Sequence, residues 1–168
     1  MIMKYLTLTI LSSIFIYCSK KNQITNSTNK EIFKTEEKSI NYHFKYFKLY
    51  KLNDTIIADL NSDKINDTIY FKKEKQTSGF IIIESNSDEE YRIGFGQKFS
   101  HLTEFNWVES WGLTFDKETF EVLIEDDEII GHKTIFLENP SIFLIKENIA
   151  VGLITKINGE YKWIHQTD

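Results

Sequence analysis

Nine consecutive residues carry the most specific chemistry in this chain: Asp59-Leu60-Asn61-Ser62-Asp63-Lys64-Ile65-Asn66-Asp67. Oxygen-bearing side chains stand at relative positions 1, 3, 5 and 9. Alternate residues of a tightly curled backbone point to its inside, and a hard divalent cation asks for six to eight oxygens at about 2.3–2.6 Å. The side chains of Asp59, Asn61, Asp63 and Asp67, with the backbone carbonyl of Ile65 at position 7, form such a set. The spacing therefore predicts a metal site at these five residues, with calcium as a structural ion. A polar turn gives the competing account, because Asp and Asn side chains also bond to their own backbone and hold a tight connection without an ion.

Other constellations are thinner. His43, His101, His132 and His165 stand at least 31 residues apart, so no local pair has zinc spacing, and each reads as a surface or rim residue. Glu125-Asp126-Asp127-Glu128 reads as a charged hairpin tip whose carboxylates splay into water. No Gly-x-Ser-x-Gly elbow is present, and Gly94-Phe95-Gly96 lacks the Lys-Ser or Lys-Thr and helix start of a phosphate loop. The sequence thus offers no catalytic residue. Trp107, Trp111 and Phe115, and likewise Tyr161, Trp163 and His165, fall on shared faces. Core packing is the default for both sets, and an exposed face would instead make a sugar or peptide platform.

The one cysteine, Cys18, excludes an intrachain disulfide framework and a Cys-rich zinc site. It closes a stretch, Tyr5 to Tyr17, of 13 uncharged and mostly apolar residues that follows Lys4. That length suits a signal-peptide core and falls short of the roughly 20 residues of a spanning helix. The segment resembles a bacterial lipoprotein precursor, in which the cysteine is lipidated and becomes the first residue. The family's preferred residues before the cysteine are Leu, then Gly or Ala, where this chain has Phe15, Ile16 and Tyr17. The resemblance implies a signal peptide over 1–17, lipidation of Cys18, a membrane partner through the acyl anchor, and a place in the cell envelope facing the periplasm or exterior.

The nine-residue motif carries a second resemblance. An EF-hand would need a bidentate Glu at position 12, where Tyr70 stands. The acid at position 9 and the strand-like Thr68-Ile69-Tyr70-Phe71 after it are similar to the calcium loop of FG-GAP and VCBS repeats. In that family the residues matching Asp59, Asn61, Asp63 and Asp67 ligate by side chain. The motif occurs once, so the resemblance extends to the loop and not to a propeller. Family members carry Gly at position 6, where the backbone takes a positive φ. Lys64 stands there instead, at a cost on the order of 1 kcal/mol.

The elements that would position these residues read as strands. Isoleucine occurs 25 times and alanine twice, and aromatics make up 14% of the chain, a bias toward sheet. Apolar alternation or short apolar runs recur at Tyr42–Leu49, 55–58, 68–71, 80–84, 91–95, 105–115, 119–124, 129–130, 134–137, 141–145, 151–157 and 161–165. Asn158-Gly159 is the strongest hairpin signal. Short helical turns are the alternatives at 30–38 and 96–104. This pattern predicts a mainly β, single-domain antiparallel β-sandwich or small barrel over 40–168, behind a polar tether at 19–39.

With 168 residues the chain can bury a real core. Its net charge of −5 divides into +1 at Lys4, +2 on the tether and −8 on residues 40–168, which argues against a nucleic-acid partner. The expectation is an envelope-anchored lipoprotein with an acidic β-domain in a non-enzymatic binding or structural role, its partner a protein or glycan. The alternatives are an inhibitor or immunity-type module for a basic protein, and a periplasmic hydrolase on a β scaffold.

Overall fold

The computed structural model describes residues 43–167. The segments expected to form a signal peptide (1–17), a lipidated Cys18 and a tether (19–39, with the helical alternative at 30–38) lie outside them. Within them the chain forms eleven strands and no helix: β1 (Phe47–Tyr50), β2 (Thr55–Ala58), β3 (Asp67–Lys73), β4 (Ser78–Glu84), β5 (Glu89–Gly94), β6 (Ser110–Thr114), β7 (Glu118–Glu125), β8 (Glu128–Phe136), β9 (Ser141–Lys146), β10 (Ile149–Ile157) and β11 (Glu160–His165). Residues 96–104, where a short helix was the alternative, instead form turns closed by an isolated bridge between Phe99 and Leu102. Phe99 and Leu102 still pack against the core, but Gly96 and Ser100 take positive φ (83° and 56°), which an α-helix does not accommodate.

All pairing is antiparallel. One sheet has the order β1-β6-β9-β10-β11, a second the order β2-β3-β4-β5, and β7 pairs only with β8. The two larger sheets pack face to face as a sandwich, and neither closes into a barrel. Ile69, Phe80, Ile82 and Ile93 meet Trp111, Leu113, Ile142, Leu144, Ile154 and Trp163 in one cluster, joined by Leu60 and Phe105 from loops. Each such side chain contributes about 1.5–3 kcal/mol on leaving water.

The five-stranded sheet is buried on its other face as well. Phe143, Ile145, Leu153 and Ile164 pack there with Phe44 and Leu137, and Ile135 of β8 joins them. This explains why β9 is apolar at every interior position. Ile142 and Leu144 face the sandwich while Phe143 and Ile145 face the second cluster. Two glycines allow the tight packing: a Cβ on Gly152 would lie 2.3 Å from the Trp163 ring, and one on Gly112 would lie 2.3 Å from Phe143.

Before β1 the chain is held by one further backbone bond, Phe115 N–H to the Tyr46 carbonyl at 2.8 Å, and by a carboxylate. The Asp116 oxygens accept the N–H groups of Lys45 and Tyr46 at 2.8 and 2.9 Å. That fork lets Phe44 enter the second cluster although residues 43–46 form no strand.

Candidate functional site

The loop between β2 and β3 is built from its own side chains. Asp59 accepts the N–H of Asn61 at 3.3 Å through Oδ1 and that of Lys64 at 2.9 Å through Oδ2. Asn61 Oδ1 accepts the Asp63 N–H at 3.1 Å, and Asp63 Oδ1 accepts the Ile65 N–H at 2.7 Å. These overlapping Asx turns curl residues 59–65 around one centre. The curl requires positive φ at Ser62 (62°) and at Lys64 (73°), without glycine at either.

Asp67 is used differently. It is fully buried, and its two oxygens accept the N–H groups of Leu60 at 2.8 Å and Ser85 at 3.3 Å. Burial pushes its pKa up, against the pull of those two bonds, and the nearby charges of Glu84 and Asp63 push the same way. The structure thus brings Asp59, Asn61 and Asp63 around one turn, while Asp67 ties that turn to the end of β4. Asp63 Oδ2 is buried with no hydrogen-bond partner, an oxygen a cation could use. Among the described residues no group of three or more His, Cys, Asp or Glu side chains is placed to hold a metal ion. A cation at this loop would therefore depend on Asn61 and backbone carbonyls beside Asp59 and Asp63.

A polar cleft of about 440 Å³ lies between this loop and the β10–β11 hairpin, lined by Asn61, Asp63, Asn86, Asn139, Lys156 and Asn158 among others. Lys156 and the Tyr161 hydroxyl both donate to Oε1 of Glu84, which is 5% exposed. The ammonium also lies 5.5 Å from the ring centres of Tyr91 and Tyr161. Burial, then the bond to Glu84, holds the Tyr161 phenol far above its ordinary pKa. Burial first, with Glu89 and Glu84 adding to it, pushes Tyr91 up to about 12. Both phenols stay protonated at neutral pH, so Tyr161 is a fixed donor. The cluster neutralises a buried charge and bolts the two sheets together.

The β7–β8 hairpin has the opposite character. Its root is tied down: Thr119 donates to Gln166 Oε1 at 3.2 Å, Gln166 Nε2 donates to the Phe120 carbonyl, and Val122 is buried. Beyond Val122 it leaves the body. Leu123, Ile124, Ile129 and Ile130 are exposed at 36, 48, 48 and 60%, and Phe136 near the root at 73%. Asp126 and Asp127 turn the chain with φ of 51° and 62°, and Glu125 to Glu128 are all exposed. Residues 118–136 carry six acids against Lys133 alone, a net −5.

The remaining candidates fall into place around these features. Trp111 is fully buried and donates from Nε1 to the Lys51 carbonyl at 2.7 Å, and Trp163 is 7% exposed, so neither offers a stacking face. His43 and His132 both contact the Phe120 ring, and burial lowers the pKa of His43. His101 and His165, far apart in sequence, meet with ring centres 5.6 Å apart. Sequence reasoning missed Glu84, Lys156 and the His101–His165 contact, because each joins elements that only the sheet order brings together. Comparison with protein-family models, curated proteins and solved structures finds no match for the chain.

Proposed function

We propose that this chain is an envelope-anchored binding module that presents the β7–β8 hairpin to a basic protein partner, with no catalytic role. One observation carries the reading: a 19-residue projection combines net charge −5 with a cluster of exposed isoleucines. Exposed apolar side chains rimmed by like charges mark interaction surfaces, and the charge selects partners of opposite sign. The tight root supports the same reading, since a hairpin held at its base offers its tip at little further cost in ordering. This is the chemistry of an inhibitor or immunity-type module.

The anchor in this proposal is Cys18, supported by its position at the close of the apolar stretch. Cells fed labelled palmitate should label the full-length chain and fail to label Cys18→Ser; label retained in the variant overturns the anchor. For the hairpin, the full-length chain should capture a basic protein from envelope extract in a salt-sensitive manner. Ile130→Ser combined with Asp126→Lys and Asp127→Lys should abolish that capture while the circular dichroism stays unchanged. The same protein captured equally by both overturns the proposal.

Calcium at residues 59–65 is a second reading, favoured by the buried, unpartnered Asp63 Oδ2 beside the ring of Asx turns. The ion would be structural, with Asp59, Asn61 and Asp63 supplying side-chain oxygens and Asp67 bracing the loop from behind.

A further inference from the structure

Strand β8 has one edge in the β7 ladder and the other open. Among the described residues its backbone N–H and C=O groups bond only to β7. It runs nine residues, against four in β1 and β2 and six in β5 and β11, the strands that end the two larger sheets. On the other side of the hairpin, the Phe120 carbonyl of β7 is already taken by Gln166. A bare edge is a template for a further strand, and proteins usually blunt theirs with proline, charge or short length. β8 contains no proline, and Lys133 is its one charged residue beyond Glu128. We propose that β8 takes up an extended segment of the basic partner by strand addition along Gly131–Phe136. This docking mode rests on the hairpin reading above and deepens it to the conformation and sequence of the partner's segment.

The register marks out the usable stretch. Leu123 faces Gly131 and Ile124 faces Ile129, so Ile130 is an extra residue with no partner across the ladder. A residue inserted in this way bends the strand and interrupts its edge. From Gly131 to Phe136 the pairing runs without a break, an edge of roughly 20 Å at about 3.3 Å per residue. Side chains alternate along it. Ile135 turns inward onto the second core cluster, while His132, Thr134 and Phe136 share the opposite face and are exposed.

Charge and side-chain direction describe the occupant. A strand laid along this edge places every second side chain on the outer face, where an aliphatic group would cover the Phe136 ring, now 73% exposed. Glu118 stands across the ladder from Phe136 and Glu121 across from Lys133, and Glu125 to Glu128 crowd the tip. Lys or Arg on the incoming strand meets these acids. The segment is therefore extended, basic and alternately aliphatic. A second copy of the hairpin would set −5 against −5, so charge disfavours self-pairing and selects a different chain. In recognition of this kind the main-chain bonds supply affinity and the alternate side chains supply specificity.

The test uses a fluorescent peptide as long as Gly131–Phe136 that alternates Lys with Val, titrated with the full-length chain and followed by anisotropy. It should bind, and added salt should weaken it. Two further peptides carry N-methyl groups, one at every Lys and the other at every Val. Only one of those sets of N–H groups faces β8 in an added strand. One methylated peptide should therefore bind at least about tenfold more weakly than the other, each lost ladder bond being worth a factor of a few. The amides of 131–136 that do not bond to β7 should exchange hydrogen more slowly once the unmethylated peptide is bound. Equal binding by the two methylated peptides, at whatever strength, overturns strand addition and leaves the charged hairpin surface in place. Slowed exchange on β1, β2, β5 or β11 instead of β8 overturns it as well. So does an absence of binding at millimolar peptide, and the hairpin reading falls with it only if capture of the basic protein also fails. A chain that self-associates through β8 and releases the peptide makes a second copy the occupant and overturns the basic partner.

Discussion

Two acid-bearing turns, 59–67 and 125–128, put their carboxylates to opposite uses. In the first, Asp59, Asn61, Asp63 and Asp67 each commit at least one oxygen to a backbone N–H group. In the second, Glu125 to Glu128 point to water. The difference lies in how much backbone each connection leaves unpaired. The first joins β2 to β3 across eight residues outside the ladder, and the loop's own Asp and Asn side chains serve as acceptors for its N–H groups. The second is a two-residue turn, with Glu125 and Glu128 already opposite one another in the ladder. Its acids have no backbone to satisfy and remain available to a partner. Acidic composition alone therefore says little about role; the count of unpaired amides decides it.

This contrast can be broken at its strongest point first. Glu84 stands behind the 59–67 loop as the buried acceptor for Lys156 and Tyr161. Glu84→Gln leaves an ammonium buried without its counter-charge and should cost about 3–5 kcal/mol in urea denaturation. A cost below about 1 kcal/mol would mean that the inward-facing acids are as dispensable as the outward ones.

Asp67→Asn comes next, at about 2 kcal/mol, because one of the two N–H groups it accepts must then face an amide donor. Its pH dependence has a definite sign. The folded pKa lies above the ordinary 3.8, so the native state holds this proton more tightly than the unfolded chain. The contribution of this group is greatest below 3.8 and falls as pH rises through the folded value. The melting-temperature gap between wild type and Asp67→Asn should narrow as pH rises across that window. A gap that widens would show that the two accepted bonds outweigh burial.

The smallest effects sharpen the comparison. Lys64→Gly relieves a positive φ and should stabilise by about 0.5 kcal/mol, the relief of about 1 kcal/mol being partly offset by a freer unfolded chain. Asp126→Asn with Asp127→Asn should change stability by less than about 0.5 kcal/mol either way. If calcium occupies the loop, millimolar calcium should raise the melting temperature of Lys64→Gly more than that of wild type, about 1.4 kcal/mol at ninefold excess over Kd. An equal response in both, or none, removes the ion from the account of the inward turn.

Much of the sheet was legible in the sequence. The run Thr55–Ala58 is β2 to the residue, and β9 and β11 lie within one residue of the apolar runs that announced them. Asn158 and Gly159 both take positive φ, as a primed hairpin turn requires. The same turn chemistry at Asp126-Asp127 and Glu147-Asn148 carried a weaker signal, because neither pair contains glycine. The separate readings at 129–130 and 134–137 proved to be one strand, β8, interrupted in pattern by Gly131 and a register shift opposite Leu123 and Ile124. The sites were less legible. Nothing local says that Glu84 will face Lys156, or that His101 will meet His165. Asp67 stood in a ligand pattern, yet its backbone partners include Ser85 on the far side of two strands.

The order of strands also sets a timetable for folding. In the four-stranded sheet every neighbour in space is the next strand in sequence, so it can assemble from successive hairpins as the chain becomes available. The five-stranded sheet cannot. β1 waits for β6, with Lys51 and its bonding partner Trp111 separated by 60 positions, and β6 waits in turn for β9. A chain delivered from its N-terminus thus completes one half of the sandwich early, with Phe80, Ile82 and Ile93 still uncovered. That half-built sandwich is the species most exposed to aggregation, and its lifetime is set by how soon Ser141–Lys146 arrives to dock.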